Sequence, residues 1–173
     1  MITAIQLSEA LMCSPATATK WVEHINRAMN SYCITTPLQV AHFLAQVGHE
    51  SGRFRYVREL ASGEAYEGRK DLGNTEAGDG VRYKGRGLIQ ITGRANYQSV
   101  GDALGVDFVR VPEFLEAPDH AAMSAAWFWS EHKLNELADM DLLVPITKKI
   151  NGGTNGLEDR RALLQSAKKS LGI

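Results

Sequence analysis

Between residues 37 and 50 the chain reads "PLQVAHFLAQVGHE", and its apolar positions fall on one helical face. Val40, Phe43, Leu44 and Val47 recur at i, i+3, i+4 and i+7, the signature of an amphipathic helix. "TTP" at 35–37 supplies a cap and a first-turn proline. At about 100° per residue, Glu50 falls only about 20° from Phe43, on the edge of the apolar stripe. His42 and His49 fall on the opposite side, and Gly52 ends the helix. Burial at such an edge favours the protonated carboxyl that a general acid needs.

The same periodicity predicts helices over about 5–12, 15–30, 94–104, 118–131, 134–138, 142–150 and 157–171. Residues 61–82 hold five glycines and no apolar period, which predicts a long, mobile surface loop. In "GLIQITG" at 87–93, Ile89 and Ile91 alternate with Leu88, Gln90 and Thr92, which predicts a short half-buried strand. No internal repeat, low-complexity tract or linker interrupts the chain. The expectation is therefore one domain over 1–173, mainly α (α+β), with a small β element beside a helix end.

Composition narrows the class. A chain of 173 residues, 44% hydrophobic and 23% charged, can bury a core without disulfides or metals. Its two cysteines, Cys13 and Cys33, make no disulfide framework and read as thiols of a reducing compartment. The opening "MITAIQLSEALMCSPATATKW" has neither the basic start of a signal peptide nor an unbroken apolar span, so neither export nor membrane insertion is expected. Net charge is −1, yet residues 102–141 carry nine acids against two bases and residues 148–173 six bases against two acids. Those blocks read as solvated helical faces, or as a basic end meeting an anionic polymer such as the bacterial wall. Zinc-finger spacings, RNA-binding aromatic signatures and an overall basic balance are all missing, so nucleic acid is not an expected partner.

The candidate chemistry starts with Glu50 and with Glu59, nine residues later in "FRYVREL". Two carboxylates in different surroundings are what glycosidic bond cleavage requires, one as acid and one as base or nucleophile. Glu64 and Glu67, in the same stretch, are alternatives to Glu59. Gln90 and Thr92 share the polar face of the expected strand, where Thr92 could hold a water and Gln90 a sugar substituent. Equally, Thr92 could cap the helix that begins at Arg94. "WFW" at 127–129 could stack sugars or fill the core. His42 and His49 stand about 10 Å apart along one helix, too far to share a zinc, and no phosphate loop, dinucleotide fingerprint or nucleophile elbow is present. No metal or cofactor is expected.

"HESG" at 49–52, "YKGRGLIQITGRANY" at 83–97 and "INGG" at 150–153, in that order, resemble the family 19 glycoside hydrolases, which include chitinases and a branch of bacteriophage endolysins. The resemblance implies a lysozyme-like, mainly helical fold with a small β-sheet beside a sugar cleft, and an inverting two-glutamate mechanism. By motif, Glu50 matches the general acid, Glu59 the base, and Thr92 the residue that positions the attacking water. Gln90, Asn96 and Asn151 match cleft residues that bond the sugar, and His49, Tyr83, Arg86 and Tyr97, within the same motifs, complete the expected substrate-binding set. One departure stands out: where the family usually has Thr-Gly-Gly after the acid, this chain has Ser51-Gly52-Arg53.

The short chain and few cysteines resemble the endolysin branch more than the secreted chitinases. The expected partner is thus the glycan strand of peptidoglycan, cut by a monomer that waits in the host cytoplasm until a holin opens the membrane. Chitin is the second expected substrate. A sugar-binding protein without catalysis is the third reading, weakened by the presence of Glu50, Glu59 and Thr92 together. An inverting enzyme should hold its two carboxyl groups about 6.5–9.5 Å apart, leaving room for a water.

Overall fold

The first three helices start at side-chain caps. A computed structural model describes residues 1–173. In it Thr3 and Gln6 form a capping box on α1 (Ala4–Leu11), and Thr36 and Gln39 form another on α3 (Pro37–Glu50). Ser14 caps α2 (Pro15–Ser31), with Pro15 in its first turn. Beyond these lie a short α4 (Asp79–Arg82), α5 (Arg94–Leu104), α6 (Pro118–Glu131), α7 (Leu134–Asp139), α8 (Leu143–Asn151) and α9 (Leu157–Leu171). All eight helices expected from periodicity are present, within a residue or so of their expected ends.

The apolar faces meet around α3, which packs against α1, α7 and α9 while α2 packs on α6. Every residue from Gln39 to Gly48 is buried, so α3 is the central helix and not a half-exposed one. His42, expected on the solvent side, is fully buried, with Nε2 2.8 Å from Asp141 Oδ1. Burial holds the His42 imidazole below the ordinary histidine range, although Asp141 pulls the other way. Trp129 packs edge-on against Phe43, so the end of "WFW" fills the core. A second, smaller core of Tyr83, Ile91, Tyr97, Val100, Phe108 and Leu115 underlies the other half of the molecule.

Two sequence expectations fail in that second half. Residues 87–93 form no strand: a turn over 87–90 joins Arg86 to Ile91, and only the isolated antiparallel bridges Arg58–Arg86 and Arg86–Ile91 remain of the β element. Leu88 is buried together with Ile89 and Ile91, because a turn does not keep the period of two. The other is the plain surface loop over 61–82: the segment is largely exposed, as expected, but two single helical turns and α4 interrupt it. Its order comes from polar bonds, which leave no apolar period. Glu67 accepts from the amides of Gly78 and Gly80 (2.7 and 2.8 Å), and buried Asn74 links Tyr66 O to the Arg94 amide (both 2.9 Å). Asp79, almost wholly buried, takes two bonds from the Arg94 guanidinium, which holds its carboxyl below the usual aspartate range.

Candidate active site

The Glu50 side is built by two helices. Glu50 is the last residue of α3, and its carboxylate Oε1 accepts from Arg160 Nη2. Arg160 stands in the first turn of α9 yet is fully buried, on the same stripe as Leu163, Leu164 and Ala167. A cation there is disfavoured by the helix dipole and by desolvation, so it needs every partner it has. It donates also to Gln46 Oε1, and more weakly to Asn155 O (3.3 Å); Gln46 in turn donates to Thr147 (3.2 Å). The apolar edge expected around Glu50 is thus an ion pair, with the side chain 20% exposed and Oε2 free of any partner in the chain. Next to it, His49 Nδ1 lies 2.7 Å from Asp159 Oδ2, and Asp159 Oδ1 accepts from Arg53 (2.7 Å). Burial pushes the Asp159 carboxyl up, but His49 and Arg53 together hold it below the ordinary range.

Gly156 lies directly on the His49 ring. A Cβ there would stand 2.1 Å from Cε1, so the turn from exposed Asn151 into α9 is fastened to the end of α3 by that contact.

From Glu50 the chain turns sharply. Gly52, Arg53 and Phe54 all have left-handed backbones (φ 56°, 61° and 65°), a strained run for two non-glycine residues. Phe54 offsets it by stacking on Trp21 (4.8 Å between centroids), and its amide donates to Ser51 Oγ (2.8 Å). The chain then runs extended past Val57 and Glu59, bonded to Gly87 and Gly85 (Gly87 N to Val57 O 2.9 Å, Glu59 N to Gly85 O 2.8 Å).

Register now does the positioning. With Arg58 opposite Arg86 and Arg86 opposite Ile91, antiparallel pairing sets Glu59, Gly85 and Thr92 in one row. The middle residue has no side chain, and Gln90 lies over it, its Oε1 2.6 Å from where a Cβ would be. Glu59 Oε1 accepts from the Tyr66 hydroxyl (3.0 Å) and Oε2 from the Gly85 amide (3.1 Å), two donors that suit an ionised, acceptor-only carboxylate. Burial, aided by the Glu59 charge, pushes the Tyr66 hydroxyl above the ordinary tyrosine range, so it remains a donor. Thr92 does not cap α5, whose N-cap is Gly93 with no side-chain bond. Its carbonyl instead accepts from Asn96 Nδ2 (2.7 Å).

The expected residues therefore fall into two sets. Glu59, Gln90, Thr92 and Asn96 come together on the bridged segment, and Glu50 and His49 stand at the end of α3. Tyr83, Arg86 and Tyr97, expected to touch the sugar, do not: they are buried beneath the row. Tyr83 donates to Val109 O (3.1 Å), and Arg86 is paired with Glu116 (2.8 Å) and bonded to Tyr97 (3.0 Å). Burial pushes the Tyr97 hydroxyl well above its ordinary range, though Arg86 works against it. They are the pillars of the site's floor. Glu67 is occupied by loop amides and Glu64 is exposed, which leaves Glu59 as the carboxylate beside Thr92.

The family model of glycoside hydrolase family 19, chitinase class I, matches residues 28–147. The chain belongs to family 19. A glycosyl hydrolase family 19 domain-containing protein of Haemophilus influenzae is 34% identical over 160 residues, spanning 75% of this chain and 78% of that protein. An endochitinase of Arabidopsis thaliana is 38% identical over 117 residues, but this chain spans only 39% of its length. Among solved structures, chitinase C from Streptomyces griseus superposes with a TM-score of 0.76 at 24% identity, covering 99% of this chain and 77% of that one. A family 19 chitinase from Zea mays gives 0.71 at 25% identity, over 87% and 81%. The fold is the lysozyme-like one of family 19, and the activity class is glycoside hydrolysis.

Arg160, Tyr66 and Gly85 complete the site and were not among the residues expected from sequence. Arg160 had a signal: it lies i−3, i−4 and i−7 from Leu163, Leu164 and Ala167, on a buried stripe.

Proposed function

We propose that this protein hydrolyses the glycan strands of bacterial peptidoglycan, between N-acetylmuramic acid and N-acetylglucosamine, by an inverting mechanism, as an endolysin. In its protonated form Glu50 donates the proton on Oε2 to the glycosidic oxygen and is left as the carboxylate that Arg160 pairs at Oε1, which also fixes the direction of the group. Glu59 takes a proton from a water held by the Thr92 hydroxyl, and that water attacks the anomeric carbon from the opposite face. Gln90 and Asn96 bond the sugar beside it, with Asn151 and His49 on the Glu50 side. The observation that carries this mechanism is the row Glu59–Gly85–Thr92, which brings the base and the hydroxyl to one face, with the Gln90 side chain lying over the central glycine between them.

Free thiols at Cys13 and Cys33 suit a chain that waits in a reducing host cytoplasm. A holin-type protein would then give this monomer access to the wall. The chitinase names of several relatives favour a second reading, cleavage of β-1,4 N-acetylglucosamine polymers. Mass spectrometry of digested peptidoglycan separates the two. Disaccharide-peptides with a reducing N-acetylmuramic acid end are expected. Intact peptidoglycan together with oligosaccharides released from chitin would establish the second reading instead.

A further inference from the structure

The segment that leaves Glu50 also walls a second cavity, of about 370 Å³, against the turn between α1 and α2. Arg53 and Arg55 line one side and Ser14 and Thr17 the other, and no carboxylate lines it. Arg53 gives only one bond, from Nη2 to Asp159, which leaves most of its five donors unused. Arg55 is exposed and pairs with no acid of the chain. The Ser14 and Thr17 hydroxyls lie 2.9 Å apart at the positive end of α2, a helix of 17 residues. Two arginines, two hydroxyl residues and a helix N-terminus therefore wall one space, with Arg53 paired at one nitrogen to Asp159 outside it. Arg53 occupies a left-handed position that a glycine would fill without strain, and glycine is what the family pattern has there.

We infer that this cavity is a subsite for a carboxylate carried on the peptide branch of the glycan. Guanidinium groups pair carboxylates through parallel N–H bonds, and a peptide-bearing glycan presents carboxylates on a branch that leaves the sugar chain to one side, each beyond the amide that joins the branch to the sugar. A homopolymer of N-acetylglucosamine presents none. The subsite rests on the peptidoglycan reading and gives it a physical basis, since it would favour that polymer over chitin.

The test compares the native protein with the double variant Arg53→Gly, Arg55→Gln on peptidoglycan strands, on the same strands with their peptide carboxylates capped as methylamides, and on chitohexaose. Glycine fits the backbone at 53, and thermal melting checks the fold. Expected is a fall in kcat/KM on peptide-bearing strands at least about tenfold larger than the fall on capped strands, which absorbs any loss through the Asp159–His49 contact. Calorimetry with a muramyl tripeptide should show the matching loss of affinity. Equal rates of the native protein on peptide-bearing and capped strands, or equal losses of the variant on both, would overturn the subsite. If the native protein cuts only chitohexaose, the peptidoglycan reading fails. The tripeptide titration then decides the cavity by itself: binding abolished by the double variant upholds it, and no binding or unchanged binding removes it.

Discussion

The two glutamates are held by opposite means. Glu50 sits at the end of a buried helix, aimed by a charged partner that is itself fixed in the apolar core between α3 and α9. Glu59 sits on a bridged segment with few apolar contacts, aimed by neutral donors, Tyr66 and Gly85, which a polar network holds in turn. Core packing is stiff, and it fixes the group that must hand a proton to one oxygen. The polar framework opens at lower cost, and it fixes the group that must admit a water and release it. In the proposed mechanism the acid is thus a property of the helical core and the base a property of the 59–92 segment, so damage to either should leave the other in place.

The largest effect should come at the carboxyls themselves. Glu50→Gln keeps an acceptor for Arg160 but has no acidic proton, so glycan cleavage should fall by roughly a hundred- to ten-thousandfold, with a lowered melting temperature because buried Arg160 loses its counter-charge but with the fold retained. Glu59→Gln should match it in activity, and retention of more than half the activity in either folded variant would refute that residue's role. Next comes Arg160→Met. Removing one partner of a buried pair costs about 3 kcal/mol, the low end of the usual range because Glu50 is partly exposed. Denaturant titration should show that loss, and a variant as stable as the native chain would mean the pair does not hold the α3–α9 junction.

Tyr66→Phe probes the other region. A donor lost to a carboxylate costs about 1.5–3 kcal/mol in principle. With Gly85 still in place, a fall in kcat of about tenfold with little change in KM is expected, together with native stability. A pure KM effect would show that Tyr66 serves the sugar and not the base. The smallest effect concerns pH. Arg94 holds the Asp79 carboxyl below its unfolded value, so this pair stabilises the fold above about pH 4 and its contribution is lost as pH falls further. Asp79→Asn should therefore lower the melting temperature at pH 7 and flatten its decline in acid, which a series of melts from pH 7 to 3 would reveal.

The same contrast explains what could be read from sequence. Helix α3 announced itself through Val40, Phe43, Leu44 and Val47, and Thr36 with Pro37 fixed its start, because burial and capping leave periodic or local marks. Arg160 carried such a mark too, in its phase with Leu163 and Leu164, but among the six bases of the C-terminal stretch it looked like its exposed neighbour Arg161. The Glu59 surroundings left no mark of this kind. Tyr66 reaches Glu59 across seven residues, and Asn74 joins Arg94 across twenty. Polar bonds between irregular segments follow no period, so 61–82 read as an empty loop. The alternation in "GLIQITG" suggested a strand because a tight turn can bury Leu88, Ile89 and Ile91 without respecting faces.

The central claim is that a water beside Glu59 and Thr92 is the direct nucleophile while Glu50 protonates the leaving oxygen. Proton NMR of the first seconds of digestion, on a soluble β-1,4 oligosaccharide that the enzyme cuts, reads this directly from the anomeric signal of the new reducing end. The α-anomer is expected first, with the β-anomer appearing only by mutarotation. An initial β-anomer, a glycosyl adduct trapped on Glu59, or a 1,6-anhydro product would contradict it.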